Sequence, residues 1–200
     1  MRICCAFTSP IKYESEEDYV RHHEIEVKCY GEEVMQDFII AKFSVDQIMY
    51  WDAINDDVSI FEICDCDSDG MHQLNVILSD GKDEFREDLE IETHVEHIMF
   101  MHKVVFHPEI DKYKQVIIDA VFNLFGRTSL AVTWDETTGL SSKHLAELGF
   151  KKVVSSYLIY RESACSTPFE EMDHEEMDLD FFPTEEHEEW VMKEWEKEPS

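Results

Sequence analysis

The most continuous hydrophobic pattern lies between His97 and Tyr160. His97–Phe106 is an apolar, β-favouring run that stops at His107-Pro108, and it predicts a strand. Tyr113, Val116, Ile117, Ala120, Val121, Leu124 and Phe125 then recur at three- and four-residue steps, which predicts one buried helix face. Asp111 is placed to cap that helix and Gly126 to end it. Ser129–Trp134 predicts a second strand, Leu140–Leu148 a short helix closed by Gly149, and the apolar run after Phe150 a last strand. Strand, helix and strand in this order imply two parallel neighbours joined by a right-handed crossover.

Upstream the pattern is shorter-ranged. Residues 2–8 predict a first strand or an arm, and Glu14–Val20 a helical or polar turn. Ile25, Val27 and Cys29 alternate with Glu26 and Lys28, so Glu24–Tyr30 is a half-buried strand. Gly31-Glu32-Glu33 turns the chain and Phe38–Val45 returns it, a hairpin. Ile48, Met49, Trp51 and Ile54 have partly helical spacing, Met71–Leu78 suits a short helix, and Ser79–Glu90 a surface loop or frayed helix. The sum is an α/β domain over residues 1–161 with a mixed central sheet of about six or seven strands and flanking helices.

The strand leading into His107-Pro108-Glu109, the helix after it, and Leu148-Gly149-Phe150 before a last strand resemble the GNAT superfamily of acetyl-CoA-dependent N-acetyltransferases. Ala53–Asp57 and Ser59–Asp65 extend the resemblance, which covers roughly residues 22–161. It implies a GNAT-like sheet and an acetyl-CoA site where backbone N–H groups at a helix N-terminus cradle the pyrophosphate. The family has Arg or Gln and two small residues in that loop. Here the loop reads Asp111-Lys112-Tyr113-Lys114-Gln115-Val116. Asp111 repels a pyrophosphate, and Lys114 and Val116 bring a Cβ where glycine allows close approach. Lys112, Lys114 and Gln115 are the residues left to hold the cofactor. The family's tyrosine acid corresponds to Leu145, which transfers no proton. Glu96, beside the central strand, is the remaining candidate base. The departures imply a retained fold with acetyl-CoA binding lost; the alternative is an active N-acetyltransferase with an atypical loop.

Other motifs carry less. Asp65-Cys66-Asp67-Ser68-Asp69-Gly70 opens like a calcium loop, but its twelfth position is Val76 where a bidentate glutamate is required. Cys64-x-Cys66 has no second pair at zinc-finger spacing. His97 and His107 share side-chain parity on a strand and His102 opposes them, so they do not converge on an ion. No metal is therefore expected.

Composition then changes the picture. The 200 residues hold 46 acidic and 17 basic side chains, a net charge of −29. Such a chain repels nucleic-acid backbones and anionic membranes and is drawn to basic protein surfaces, including those that hold nucleic acid. No stretch has the apolar length of a membrane span, and Met1–Phe7 is too short an apolar run for a signal peptide. Six irregularly spaced cysteines fit a cytoplasmic protein with free thiols. Residues 162–200 form an acidic C-terminal extension, 15 acidic residues against 2 lysines, broken by aromatic clusters. Phe181, Phe182, Glu185, Glu186, Glu188, Glu189, Trp190 and Trp195 are the candidates for partner contact; the competing reading packs the aromatics back on the domain. The functional expectation is an acidic protein-binding or inhibitory module, a possible nucleic-acid mimic, against an acyltransferase or a protein whose charge only aids solvation.

Overall fold

The computed structural model describes residues 1–7, 15–31, 34–67, 69–79, 84–125, 128–162 and 181–197. Four strands run antiparallel in sequence order: β1 (Arg2–Phe7), β2 (Val20–Gly31), β3 (Gln36–Ile48) and β4 (His97–Phe106). β5 (Ser129–Trp134) lies parallel to β4, with His97 opposite Ser129 and Met101 opposite Thr133. β7 (Leu158–Glu162) is antiparallel to β5, and the two-residue β6 (Lys151–Lys152) closes the far edge. The chain therefore builds a mixed α/β fold on a seven-stranded sheet in the order 1-2-3-4-5-7-6.

The apolar run in β4 is continuous because both its faces are buried. Ile98 and Phe100 meet Leu130, Val132, Leu158 and Tyr160 on one face. Met99 and Met101 meet Ala131 and Ile159 on the other. The first face is covered by α2 (Ile60–Asp67) and α3 (Asp69–Leu78), through Ile60, Ile63, Met71, Leu74 and Leu78. Short α1 (Tyr50–Asn55) leads into them. The second face is covered by α4 (Lys114–Asn123) and α5 (Ser142–Glu147).

Several expectations shift in detail. The partly helical spacing of Ile48, Met49, Trp51 and Ile54 resolves into the end of β3 and a helix from Tyr50 only. The aspartate-rich segment falls at the end of α2 (Ile60–Asp67) and the start of α3 (Asp69–Leu78). Asp111 does not cap the crossover helix: a 3-10 turn over Pro108–Tyr113 precedes α4, and His107 is its N-cap. Proline at the first position favours that earlier start. The buried face of α4 is Ile117, Ile118, Val121 and Phe122, while Leu124 is half exposed. Gly126 lies outside the described residues. After α5 the expected glycine stop holds: Gly149 has φ +81°, its N–H donates to Ala146 O and that of Phe150 to Leu145 O. These two bonds, with Leu145 and Phe150 in the same core cluster, make a Schellman ending.

The last strand is tied to the loop before β4. Buried Glu162 accepts from the N–H groups of Glu92 (2.9 Å) and Thr93 (2.8 Å) and from the Thr93 hydroxyl (2.7 Å) through one carboxylate oxygen. The Tyr160 hydroxyl donates to Leu89 O in the same loop. Glu162→Ala removes three hydrogen bonds from part-buried donors, and an expected loss of about 2–3 kcal/mol follows at about 1 kcal/mol for each bond. Urea unfolding of the variant checks it; a change within about 0.5 kcal/mol, the range of a neutral surface site, contradicts it.

Candidate functional site

The turn after β4 is built from its own side chains. His107 Nδ1 accepts from Glu109 N at 3.3 Å, and Ile110 N donates to His107 O. Lys114 Nζ sits 2.6 Å from Asp111 Oδ1 and 5.5 Å from the centre of the Phe106 ring. Lys112 Nζ lies 4.8 Å above its neighbour Tyr113. Gln115 is half-buried in the first turn of α4. The three residues expected to hold a cofactor are thus together at the start of the crossover helix. The Lys114 ammonium is already matched by a carboxylate.

Glu96 is not near them. It precedes β4, and its carboxylate accepts from Thr128 Oγ1 at 2.6 Å. Its backbone bonds Thr128 O and Trp51 N. Glu96 and Lys112 flank opposite ends of a ten-residue strand, which at 3.3 Å per residue separates those ends by about 30 Å. The candidate base and the candidate cofactor residues thus lie at opposite ends of β4.

The C-terminal extension contributes a further helix, α6 (Glu185–Trp195), which packs on β3 and β4. Thr184 and His187 form a capping box at its start. Phe181 is buried in the cluster under α4, and Val191 is fully buried. Glu188 accepts from Ile39 N at 3.3 Å. Trp190 stands edge-on to His107, with ring centres 5.2 Å apart. Lys42 and Lys103 sit 5.0 and 4.7 Å from the centre of the Trp195 ring. Lys103 also donates to the carbonyls of Trp195 and Lys197, placing a cation at the negative end of the helix. Of the eight partner-contact candidates, Phe181, Glu188, Trp190 and Trp195 therefore make contacts within the chain. Phe182, Glu185, Glu186 and Glu189 face solvent.

His187 was missed in the sequence because it stands 80 positions from His107, beyond any motif spacing. Their ring centres are 4.4 Å apart, and His187 Nε2 is 3.4 Å from Glu109 Oε2. One ligand atom each from His107, Glu109 and His187 lies within 4.8 Å of the others. The hydrogen bonding does not suit a metal. Nδ1 of His107 accepts from Glu109 N, and Nδ1 of His187 accepts from Thr184 N. Each neutral ring then carries its proton on Nε2. A metal-bound imidazole instead donates through its second nitrogen. The cluster is a docking seam for α6.

Burial lowers the histidine pKa at His23, His97 and His107 below the ordinary 6.5, with the His187 charge adding to the effect at His107. Below that value the unfolded chain binds protons that the folded chain refuses, so stability falls as pH falls. Asp46 adds a lower window. Burial pushes its carboxyl up, but hydrogen bonds from His102 and His22 outweigh this and hold it below 3.8. The midpoint of urea unfolding is expected to drop between pH of about 7.5 and about 5.5, and again toward about 3. A flat profile above pH of about 5 contradicts the histidine assignment.

Among the described residues no helix is long and apolar enough to cross a membrane. Comparison with protein-family models, with curated proteins and with solved structures returns no match.

Proposed function

We propose that this chain is a GNAT-like protein that has lost acetyl-CoA binding and acts as an acidic module, binding or inhibiting a basic protein. The fold side of this reading is supported by the parallel β4–β5 pair, its α4 crossover and the Leu148-Gly149-Phe150 ending. The observation that carries the functional side is the Asp111–Lys114 pair at 2.6 Å. A pyrophosphate in that loop would have to displace the Asp111 carboxylate from Lys114 and would still face Asp111 and Glu109 beside the two lysines. The residues present do not fit it, and no acetyl-transfer step is derived through them.

One observation favours the alternative of an active acetyltransferase. β4 continues to Phe106 after its pairing with β5 ends at Met101. No other strand pairs with that edge among the described residues. An open strand edge can hydrogen-bond an extended amide chain, and the pantetheine arm of acetyl-CoA is one.

The basic-partner reading rests on the net charge of −29 and on the solvent-facing carboxylates of α6. Magnitudes of about 2–8 suffice for the solubility of a small domain, so the excess is available for attraction. A row of carboxylates can stand in for phosphates on a surface that normally holds nucleic acid. Pull-down from a native extract at low and high salt tests this with the wild-type chain and with Glu185→Gln, Glu186→Gln, Glu189→Gln combined. These changes leave the buried seat of α6 intact. A basic protein should be retained at low salt, be released as screening shortens to about 8 Å near physiological ionic strength, and be held less by the variant. Retention of no basic protein at low salt overturns the proposal.

A further inference from the structure

An open cleft of about 350 Å³ lies between α1 and the segment that leads into β4. It sits at the Glu96 end of the strand, away from α6 and from the Asp111–Lys114 turn. Its walls are aromatic. Tyr50 stacks on Phe85 with ring centres 4.8 Å apart and planes 26° apart. Trp51 stands edge-on to His94 at 4.5 Å and is 43% exposed. The backbone N–H of Trp51 donates to Glu96 O at 3.0 Å, which fixes this wall to the start of the sheet.

The rim is acidic. Glu87 and Glu90 both line the cleft and both are exposed. Glu90 adopts a left-handed backbone, φ 48° and ψ 47°, which residues with a Cβ rarely occupy. Backbone strain of this kind concentrates at ligand clamps and switch segments. Among the described residues the cation on the rim, Arg86, is already matched: Nε and Nη2 donate to Asp88 at 2.9 and 2.6 Å, and Nη1 to Ile77 O at 3.2 Å.

We propose that this cleft binds an arginine or lysine side chain of a basic protein, with Trp51 and Tyr50 against the cation and Glu87 and Glu90 pairing with it. Indole and phenol rings attract cations through their negative faces, and tryptophan does so best. Carboxylates at the mouth exclude an anionic ligand, and the volume is at the small end for ligand sites, which suits one side chain. The assignment rests on the basic-partner reading and names a place for it that is separate from the carboxylates of α6.

The test is calorimetric titration with the blocked peptide acetyl-Gly-Arg-Gly-Arg-Gly-amide at low ionic strength. Trp51→Ala, and Glu87→Gln with Glu90→Gln, should each weaken binding about fivefold or more, in line with a partly desolvated cation–π contact. The charge-matched pair Glu185→Gln with Glu189→Gln should change it less than about twofold, the effect of a screened, distant charge. Trp51→Phe should retain most of the affinity, and circular dichroism of each variant checks that the fold persists. Unchanged affinity in a folded Trp51→Ala variant overturns the cleft and leaves the acidic-module reading standing. So does a loss confined to the α6 pair. A wild-type chain that ignores the peptide at low salt overturns the cleft and counts against the basic-partner reading as well.

Discussion

Arg161→Ala is expected to destabilise the protein by about 3–5 kcal/mol, the cost of breaking a buried charge network. The Arg161 side chain is only 4% exposed. Nη1 donates to Asp119 Oδ1 at 2.6 Å and to Leu148 O at 3.1 Å, and Nη2 to Asn123 Oδ1 at 3.3 Å. The guanidinium lies 5.8 Å from the centre of the Phe122 ring and 5.5 Å from that of Phe150. One side chain thus joins β7 to α4 and to the C-terminal end of α5. Its loss opens a cavity and leaves the Leu148 carbonyl without its charged donor. Arg161→Met keeps the stem packing and should cost less than alanine. Asp119 is a third exposed, so solvent screens its half of the pair, and Asp119→Asn should cost about 1 kcal/mol. Urea unfolding of the three variants checks the order alanine, methionine, Asp119→Asn. A cost for alanine below about 1 kcal/mol, the value for an exposed ion pair, contradicts it.

Val191→Asp tests whether α6 belongs to the fold. Val191 is fully buried, so an aspartate there is cut off from water. A carboxylate in such a place costs several kcal/mol. The loss has a ceiling, because α6 can detach before the sheet unfolds, and local opening sets the limit. The expected result is loss of amide-exchange protection over residues 185–195 with β3, β4 and β5 still protected. Trp190 and Trp195 fluorescence should shift to the red as both rings enter water. Glu189→Lys, on the exposed side of the same helix, should change neither. Global unfolding of the sheet, or full protection of α6 in the variant, contradicts this picture.

The central strands were legible in the sequence because β4 and β5 bury both faces, so their apolar runs have sharp ends at Phe106 and Trp134. The glycine stop at Gly149 was legible for a backbone reason, its positive φ. The start of α4 was not. Asp111 looked like a cap, but Pro108 permits a 3-10 turn three residues earlier and His107 takes the capping role. α2 and the start of α3 were hidden by the Asp65–Gly70 run, whose alternating aspartates drew attention to loop chemistry. The site suffered most from distance along the chain. His107 meets His187, and Tyr50 meets Phe85, across separations that no local spacing encodes. The separation of Glu96 from Lys112 was readable in principle, since a ten-residue strand between them fixes it.

The aromatics of the extension decide between two sequence readings of the same residues. Phe181, Trp190 and Trp195 pack on the domain, and Trp195 screens Lys42 and Lys103 from solvent. The basic side chains of that sheet face are consumed within the chain. Phe182, Glu185, Glu186 and Glu189 remain the solvent-facing members of the set.

Titration calorimetry with acetyl-CoA tests the proposed loss of cofactor binding most directly. No saturable heat is expected at micromolar concentration for the wild-type chain. Asp111→Arg with Lys114→Gly and Val116→Gly, which restores the charge and the small residues of a phosphate-binding turn, should move the protein toward measurable binding. Micromolar binding by the wild-type chain, weakened by Lys112→Ala or Lys114→Ala, would contradict the account and favour an active acetyltransferase.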